Sequence, residues 1–472
     1  MHKAKKVRIT AIGFLTLLSL CFPFTAFAAS EATAIDTGDN AWVLASTALV
    51  LLMFLPGLGL FYGSMLGQKS IISTMMMCLA SLVSVSFIWV LWGYTLTYGP
   101  SLNGIIGGLD YLGFKNVGAD PLGSLTIPHL TYAIFQSLFC AITVAIIAGA
   151  VVERMRFSVW IIFSAVWATL IYVPMAHWVW GGGWLSTIGA LDFAGGSVIH
   201  ILSGASALTA ALVLGPRKSY KTNSTSPPHN LVFFLVGGML LWIGWLGFDG
   251  GTALGAGALA ALAVSTTHFA AVAGVIGWLA MEWMIRKKPT LVGAITGAIA
   301  AMVAITPAAG YVSVPSSLLV GGLGAIICYW AIHIFKTKLK IDDTLDVFAL
   351  HGIGGIWGAI ATGIFASKAA NPDGNDGLIH GNPIQVYHQL VDVGVSLVLG
   401  VAGTFIILKA IQLFTPLRVT EQDELEGLDL SQHGEKAYNS FEPGTSDSYP
   451  HNPTVMNANL EHTLLKPASS KV

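Results

Sequence analysis

Two histidines in this 472-residue chain sit where an ionisable ring is costly. His200 lies in Asp192-Phe-Ala-Gly-Gly-Ser-Val-Ile-His-Ile-Leu-Ser-Gly, and His351 in Asp346-Val-Phe-Ala-Leu-His-Gly-Ile-Gly-Gly. Both runs are otherwise apolar and small. Neutral imidazoles in contact share one proton between ring nitrogens. Each then offers a donor or an acceptor to a small polar molecule, or passes a proton on. A metal site would want a third ligand, such as a thiolate or carboxylate, on the same face. Neither run supplies one, so no metal or other cofactor is expected. His177 and His268 also fall in apolar runs but lack a matching context, and both are read as structural; His333 falls near a helix end.

Aligned on their histidines, the two runs share a pattern. Ser203, Gly204, Ala207 and Ala211 follow His200 at the spacings, three, four, seven and eleven, at which Gly354, Gly355, Gly358 and Thr362 follow His351. On a helix these positions form one narrow face that lets another helix approach closely. Asp192 and Asp346 open the two runs, placed as helix caps or first-turn anions.

These residues need a frame, and composition says which kind. The chain is 54% hydrophobic and 10% charged, with a mean hydropathy of +0.71. Soluble domains carry roughly 25% charged residues, so a soluble surface is excluded and an all-α, polytopic membrane protein is expected. The formal net charge is −1 and no basic cluster forms a nucleic-acid arm. Cys21, Cys78, Cys140 and Cys328 all lie in apolar runs, which excludes a disulfide framework. Lys3, Lys5, Lys6 and Arg8, then the apolar run from Ile9 to Phe22, then Ala26-Phe-Ala read as a signal peptide over residues 1–28.

Runs of spanning length fall near 42–62, 71–93, 131–151, 158–178, 196–214, 231–248, 257–281, 291–307, 315–335, 346–365 and 384–414, which makes eleven transmembrane helices. Those near 196–214 and 291–307 read as the shortest, and the last is long enough to tilt along the outside. With the N-terminus outside, inner loops hold Lys69, Arg154 and Arg156, Arg217 to Lys221, Arg286 to Lys288, and Lys336 to Lys340, against Lys115 and Lys368 outside. That is a positive-inside pattern with a cytoplasmic C-terminus. Spans one to five and six to ten form halves of odd number, so the second enters from the opposite side as an inverted repeat. At 1.5 Å per residue His200 lies roughly 12 Å inward of Asp192, and His351 roughly 7–8 Å inward of Asp346. The histidines therefore approach mid-membrane from opposite sides. Residues 29–416 make the transmembrane domain, 417–445 a charged cytoplasmic tail, and 446–472 a Ser-, Pro- and Asn-rich extension expected to be disordered.

Aromatic residues gather at predicted outer ends of spans: Trp178, Trp180 and Trp184 around Gly181-Gly-Gly183, and Trp242, Trp245 and Phe248 on the sixth. They fit an interfacial belt or a cage that holds a small cation over aromatic faces. Phe135 and Phe139 share a face of the third span, as packing or as part of such a site.

The stretches Asp192-Phe-Ala-Gly-Gly with His200, His177-Trp-Val-Trp-Gly-Gly-Gly, Gly244-Trp-Leu-Gly-Phe248, and Asp342-Asp-Thr-Leu-Asp346 through His351-Gly occur in order. On them the chain resembles the ammonium transporter family (bacterial Amt channels, fungal methylammonium permeases and Rhesus proteins), most closely the bacterial members, from about residue 40 to 440. The resemblance implies an inner-membrane homotrimer with one pore per subunit. It implies an ammonium site of Trp180, Phe139 and Thr252 with Trp245 close by, a Phe139–Phe248 gate, and a His200–His351 pore. Asp192 would orient the site without touching the substrate. The tail would serve coupling and a PII-type regulatory partner. Two positions depart from the family pattern: Thr252 stands where Ser is frequent, and Asp249 where Asn is common. Uptake of ammonium and methylammonium across the lipid bilayer is the expected function, with an ammonium sensor as the rival. An intramembrane enzyme would need a nucleophile or metal constellation, and the sequence offers none.

Overall fold

The computed structural model describes residues 34–222 and 227–438. The proposed signal peptide and residues 446–472 lie outside them. Ten helices among the described residues are long and apolar enough to cross a membrane. In chain order, counting one shorter apolar helix, they are α1 Thr37–Ser64, α2 Ile71–Tyr98, α3 His129–Val151, α4 Phe157–Ile188, α5 Gly196–Leu214, α6 Leu231–Gly251, α7 Ala258–Arg286, α8 Leu291–Ile305, α9 Val314–Lys338, α10 Phe348–Phe365 and α11 Ile384–Gln412. The eleven expected spans are all present. The short α8 spans 15 residues, and α10, with 18, is one residue shorter than α5, so the tenth span rather than the fifth is its nearest rival in brevity.

The helix α3 is buried almost throughout, with Phe135, Phe139 and Thr143 on its central turns. Outer helices leave apolar faces exposed, such as Val398 and Ile406 on α11. Both histidine-bearing helices open with a π-helical turn, Gly196–Ile201 and Phe348–Gly352. Such a widened turn places one extra residue per turn and is frequent at functional sites.

The narrow faces do what their spacing predicts. A Cβ on Gly204 would sit 2.3 Å from the Gly352 nitrogen, and one on Gly355 would sit 2.9 Å from the Ile201 side chain and 3.0 Å from the Gly196 carbonyl oxygen. The α5 and α10 backbones therefore touch just past the two histidines. Gly358 makes the same kind of contact with α8, where a Cβ would lie 2.2 Å from the Ala304 oxygen.

The caps differ from the expected pair. Asp192 is as expected: its carboxylate accepts from the backbone N–H of Gly195 at 2.8 Å, Gly196 at 2.6 Å and Ser197 at 2.8 Å, and from the Ser197 hydroxyl at 2.6 Å. On the other helix that role falls to Asp343, not Asp346, with the Phe348 N–H donating to its carboxylate at 2.7 Å. Asp346 sits in a turn at φ +60° and faces Lys336 at 2.6 Å instead. The correction restores the repeat, because Asp192 and Asp343 both stand eight residues before their histidine.

The basic loops share one end of the bundle. Arg154, fully buried, donates to the Thr344 hydroxyl at 2.7 Å and the Asp342 carbonyl at 2.7 Å. Arg217 grips the Asp342 carboxylate at 2.8 and 3.0 Å and pairs with Glu153. Burial opposes ionisation of Asp342, but Arg217 and then Arg154 outweigh it and hold this carboxyl below its ordinary range. The tail closes the same end. Val419 donates to the Arg154 carbonyl at 3.0 Å, Arg418 to the Pro216 carbonyl at 2.9 Å, and Asp429 accepts from the Ser73 N–H at 2.8 Å at the start of α2.

Two measurements follow from these contacts. Gly204→Val forces α5 and α10 apart, and overpacking of this kind costs about 1–3 kcal/mol or more; a clearly lower melting temperature in detergent is expected, and an unchanged one would contradict the contact. Burial, followed by the nearby Asp346 charge, raises the Asp343 carboxyl to about 6 from 3.8. A raised carboxyl gives stability that is complete below pH ~4 and is lost as pH rises through ~6. Thermal melts from pH 4 to 7 should show this slope in the wild type and not in Asp343→Asn.

Candidate functional site

The site grows from α3, α4, α5, α6 and α10. Position 139 on α3 and position 248 on α6 place two phenyl rings face to face, with centroids 4.2 Å apart and planes 12° apart. Each ring is 1% exposed, so the stack is a plug between packed helices. Offset stacking of this sort is favourable but shallow, about 0.5–1.5 kcal/mol. Phe135 adds a third ring 4.8 Å from Phe139.

On one side of the plug lies Trp180, whose ring meets Phe139 edge-on at 6.3 Å. Its indole N–H donates to the Asp192 carbonyl at 2.9 Å, so the capped start of α5 also fixes the ring. Trp178 and Trp184 are turned away: they pack on each other at 6.0 Å, and Trp178 donates to the Ile105 carbonyl. Of the three tryptophans around the glycine triplet, Trp180 is the one that reaches the plug. The Thr252 hydroxyl closes α6 and donates to the Phe248 carbonyl at 2.9 Å. Its hydrogen is committed, which leaves the oxygen lone pairs to accept from an incoming N–H.

On the other side of the plug is a cavity of about 30 Å³, lined by Phe248, Trp245, His200, His351, Tyr62 and aliphatic side chains including Ile142, Ile146, Ile199, Leu241 and Ile299. That is room for one or two molecules the size of water. The imidazoles meet Nδ1 to Nδ1 at 3.1 Å, which requires one of these nitrogens to carry the shared proton. Nε2 of His200 has no partner among the described residues. The other polar atoms of the lining are turned into the wall: the Tyr62 hydroxyl donates to the Ile146 carbonyl at 3.2 Å, and the Trp245 indole to the Thr306 hydroxyl at 3.0 Å. The cavity is therefore greasy apart from its two imidazoles.

Trp245 lies on this histidine side. It stacks on His200, with centroids 5.4 Å apart and planes 24° apart, and is 6.0 Å from Phe248. One helical turn separates it from Phe248, and that turn carries it past the plug. Asp249 is fully buried: one carboxylate oxygen accepts from the Thr267 hydroxyl at 2.6 Å, and the other has no partner among the described residues. His177 is held between the Thr97 carbonyl and the Ser101 hydroxyl, each at 2.8 Å, as a structural ring. His268 faces outward beside Trp242.

Several residues went unread in the sequence, Thr306 and Asp392 among them. Thr306, at the end of α8, anchors Trp245; nothing in its local pattern marks it. Asp392 on α11 is fully buried with neither carboxylate oxygen partnered among the described residues. An acidic residue inside an apolar span was the available signal.

Comparisons with known proteins agree with this architecture. Residues 41–438 match the family described as Ammonium Transporter Family. The ammonium transporter of Bacillus subtilis (strain 168) is 50% identical over 402 residues, covering 85% of this chain and 98% of that protein. The crystal structure of Candida albicans Mep2 is similar at a TM-score of 0.77 and 35% identity, covering 88% of this chain and 93% of that one. A solved structure described as Sensor Amt Protein is similar at a TM-score of 0.77 and 28% identity, over 84% of this chain and 98% of that one.

Proposed function

The chain belongs to the ammonium transporter family, and from that premise we propose that the site takes up ammonium, and methylammonium with it, by admitting the cation on one side of the phenyl plug and passing the neutral amine on the other. The observation that carries this reading is the water-sized cavity in which His200 and His351 face each other at 3.1 Å behind stacked Phe139 and Phe248.

Ammonium exceeds ammonia greatly at neutral pH, so capture must select the cation. Trp180 and Phe139 offer π-faces, worth about 0.5–2 kcal/mol to a cation as it loses water. Thr252 offers the oxygen acceptor. Asp192, saturated by backbone donors and 5% exposed, supplies negative potential without contact. Beyond the plug the walls are apolar, and a charge at the bilayer centre costs at least ~2.5–3.5 kcal/mol. The ammonium gives its proton to water on the Trp180 side of the plug, and Phe139 and Phe248 swing to let ammonia through. His200 and His351 then give the amine a donor and an acceptor, so that it never crosses unpaired. Trp245 holds the His200 ring and walls the same lumen.

The end bearing Arg154, Arg217 and the tail is cytoplasmic, which puts the N-terminus outside the cell inner membrane. A homotrimer in the lipid bilayer, with a PII-type protein at the cytoplasmic tail, completes the proposed assembly. Likeness to the structure described as Sensor Amt Protein favours a second reading, an ammonium sensor with little flux.

Labelled methylammonium in a strain without other uptake routes separates the two. The wild type should accumulate it, and no accumulation would favour the sensor. Replacing His200 and His351 together by Ala should abolish uptake or its discrimination against potassium. A double variant that discriminates like the wild type would remove the imidazoles from the pore.

A further inference from the structure

The last span contributes nothing to the inverted repeat, yet it buries polar side chains where the first pore helix begins. Gln385, Gln389 and Asp392 of α11 all have no exposed surface. Spaced by four and three residues, they form one stripe of the helix. Burying primary amides in a membrane span is unfavourable unless each polar atom finds a partner.

Gln389 makes two of its hydrogen bonds to a single residue. Its Oε1 accepts from the Leu191 N–H at 2.7 Å, and its Nε2 donates to the Leu191 carbonyl at 2.7 Å. A side-chain amide thus pairs with the backbone as a neighbouring strand would, and fixes the peptide planes on both sides of Leu191. The following peptide carries the Asp192 carbonyl, which receives the Trp180 indole N–H at 2.9 Å. Gln385 reinforces the clamp, donating to the Gly189 carbonyl at 2.8 Å and to Gln389 Oε1 at 3.1 Å.

The other pore helix is held at the equivalent place. Asp342, one residue before the capping Asp343 as Leu191 is before Asp192, has its carbonyl bound by Arg154 at 2.7 Å and its carboxylate by Arg217. There the clamp is cationic. A cation on the Trp180 side would oppose the negative potential that Asp192 provides, whereas a neutral amide holds the backbone without adding a charge.

We propose that Gln389 is a positioning residue for the cation site, setting through Leu191 and Asp192 the place of the Trp180 ring. This rests on the transport reading above. Its effect falls first on capture, because the Trp180 indole bonds the Asp192 carbonyl directly, whereas Phe248 stands on another helix and His200 is held further along α5 by its contact with α10.

The test uses the full chain with Gln389→Leu and Gln389→Met, the second keeping length and volume so that folding is preserved. Each variant should raise the half-saturation concentration for methylammonium about tenfold, equivalent to ~1.4 kcal/mol, with the maximal rate within about twofold of wild type. Hydrogen exchange of the purified protein should be faster over residues 189–198 in both variants. An unchanged half-saturation concentration, or a loss confined to the maximal rate, would overturn the assignment. If the wild type itself takes up no methylammonium, the transport reading falls, and exchange alone decides the clamp: unaltered protection at 189–198 refutes it.

Discussion

The centre of this protein depends on a backbone-to-backbone contact. At Gly204 and Gly352 helices α5 and α10 approach until a single methyl group would collide, with a Cβ at 204 lying 2.3 Å from a peptide nitrogen. At that separation His200, one turn before Gly204, and His351, next to Gly352, bring their imidazole nitrogens to 3.1 Å from helices running in opposite directions. The histidine pair is thus a result of glycine packing rather than its cause. The widened turns that open both helices bring those rings into the lumen.

Holding short helix starts inside a membrane creates a second requirement, because their free N–H groups have no water to bind. The chain answers twice with the same device. A carboxylate eight residues before each histidine takes the free donors, and the residue before that carboxylate is gripped from a different helix or loop. The device binds position and charge together: the group that satisfies the backbone of α5 is also the anion that lies behind Trp180. On the opposite side the same scheme recruits Arg154 and Arg217, and through them the tail segment 417–419.

Much of this was legible in the residues. Apolar length is dictated by bilayer thickness, so the spans could be read one by one, and the matched small-residue spacings pointed to two helices meeting at their histidines. What was missed has physical reasons. Asp346 is the acidic residue nearest in sequence to His351, but a left-handed turn at φ +60° removes it from the helix start, and only the eight-residue offset identifies Asp343. Trp245 and Phe248 share a helix end in sequence, yet one turn carries the indole past the stacked phenyls to His200. The fate of Asp249 depended on Thr267 from the next helix, a contact no local pattern reveals. Gln389 and Asp392 lay in a long apolar run whose periphery drew attention away from its one buried polar stripe.

The closure of the charged end has a bearing on how the chain is made. Arg154 and Arg217 leave the ribosome well before Asp342, and the segment 417–419 that covers them comes near the end of synthesis. Until then the buried Arg154 has no counter-ion and Arg217 has only Glu153, and the narrow face of α5 has no helix to meet. The first five spans therefore cannot mature as a self-sufficient half. A chain that ends before Asp342 therefore leaves the buried Arg154 without its ion-pair partner, and an unpaired buried charge of this kind is strongly destabilising.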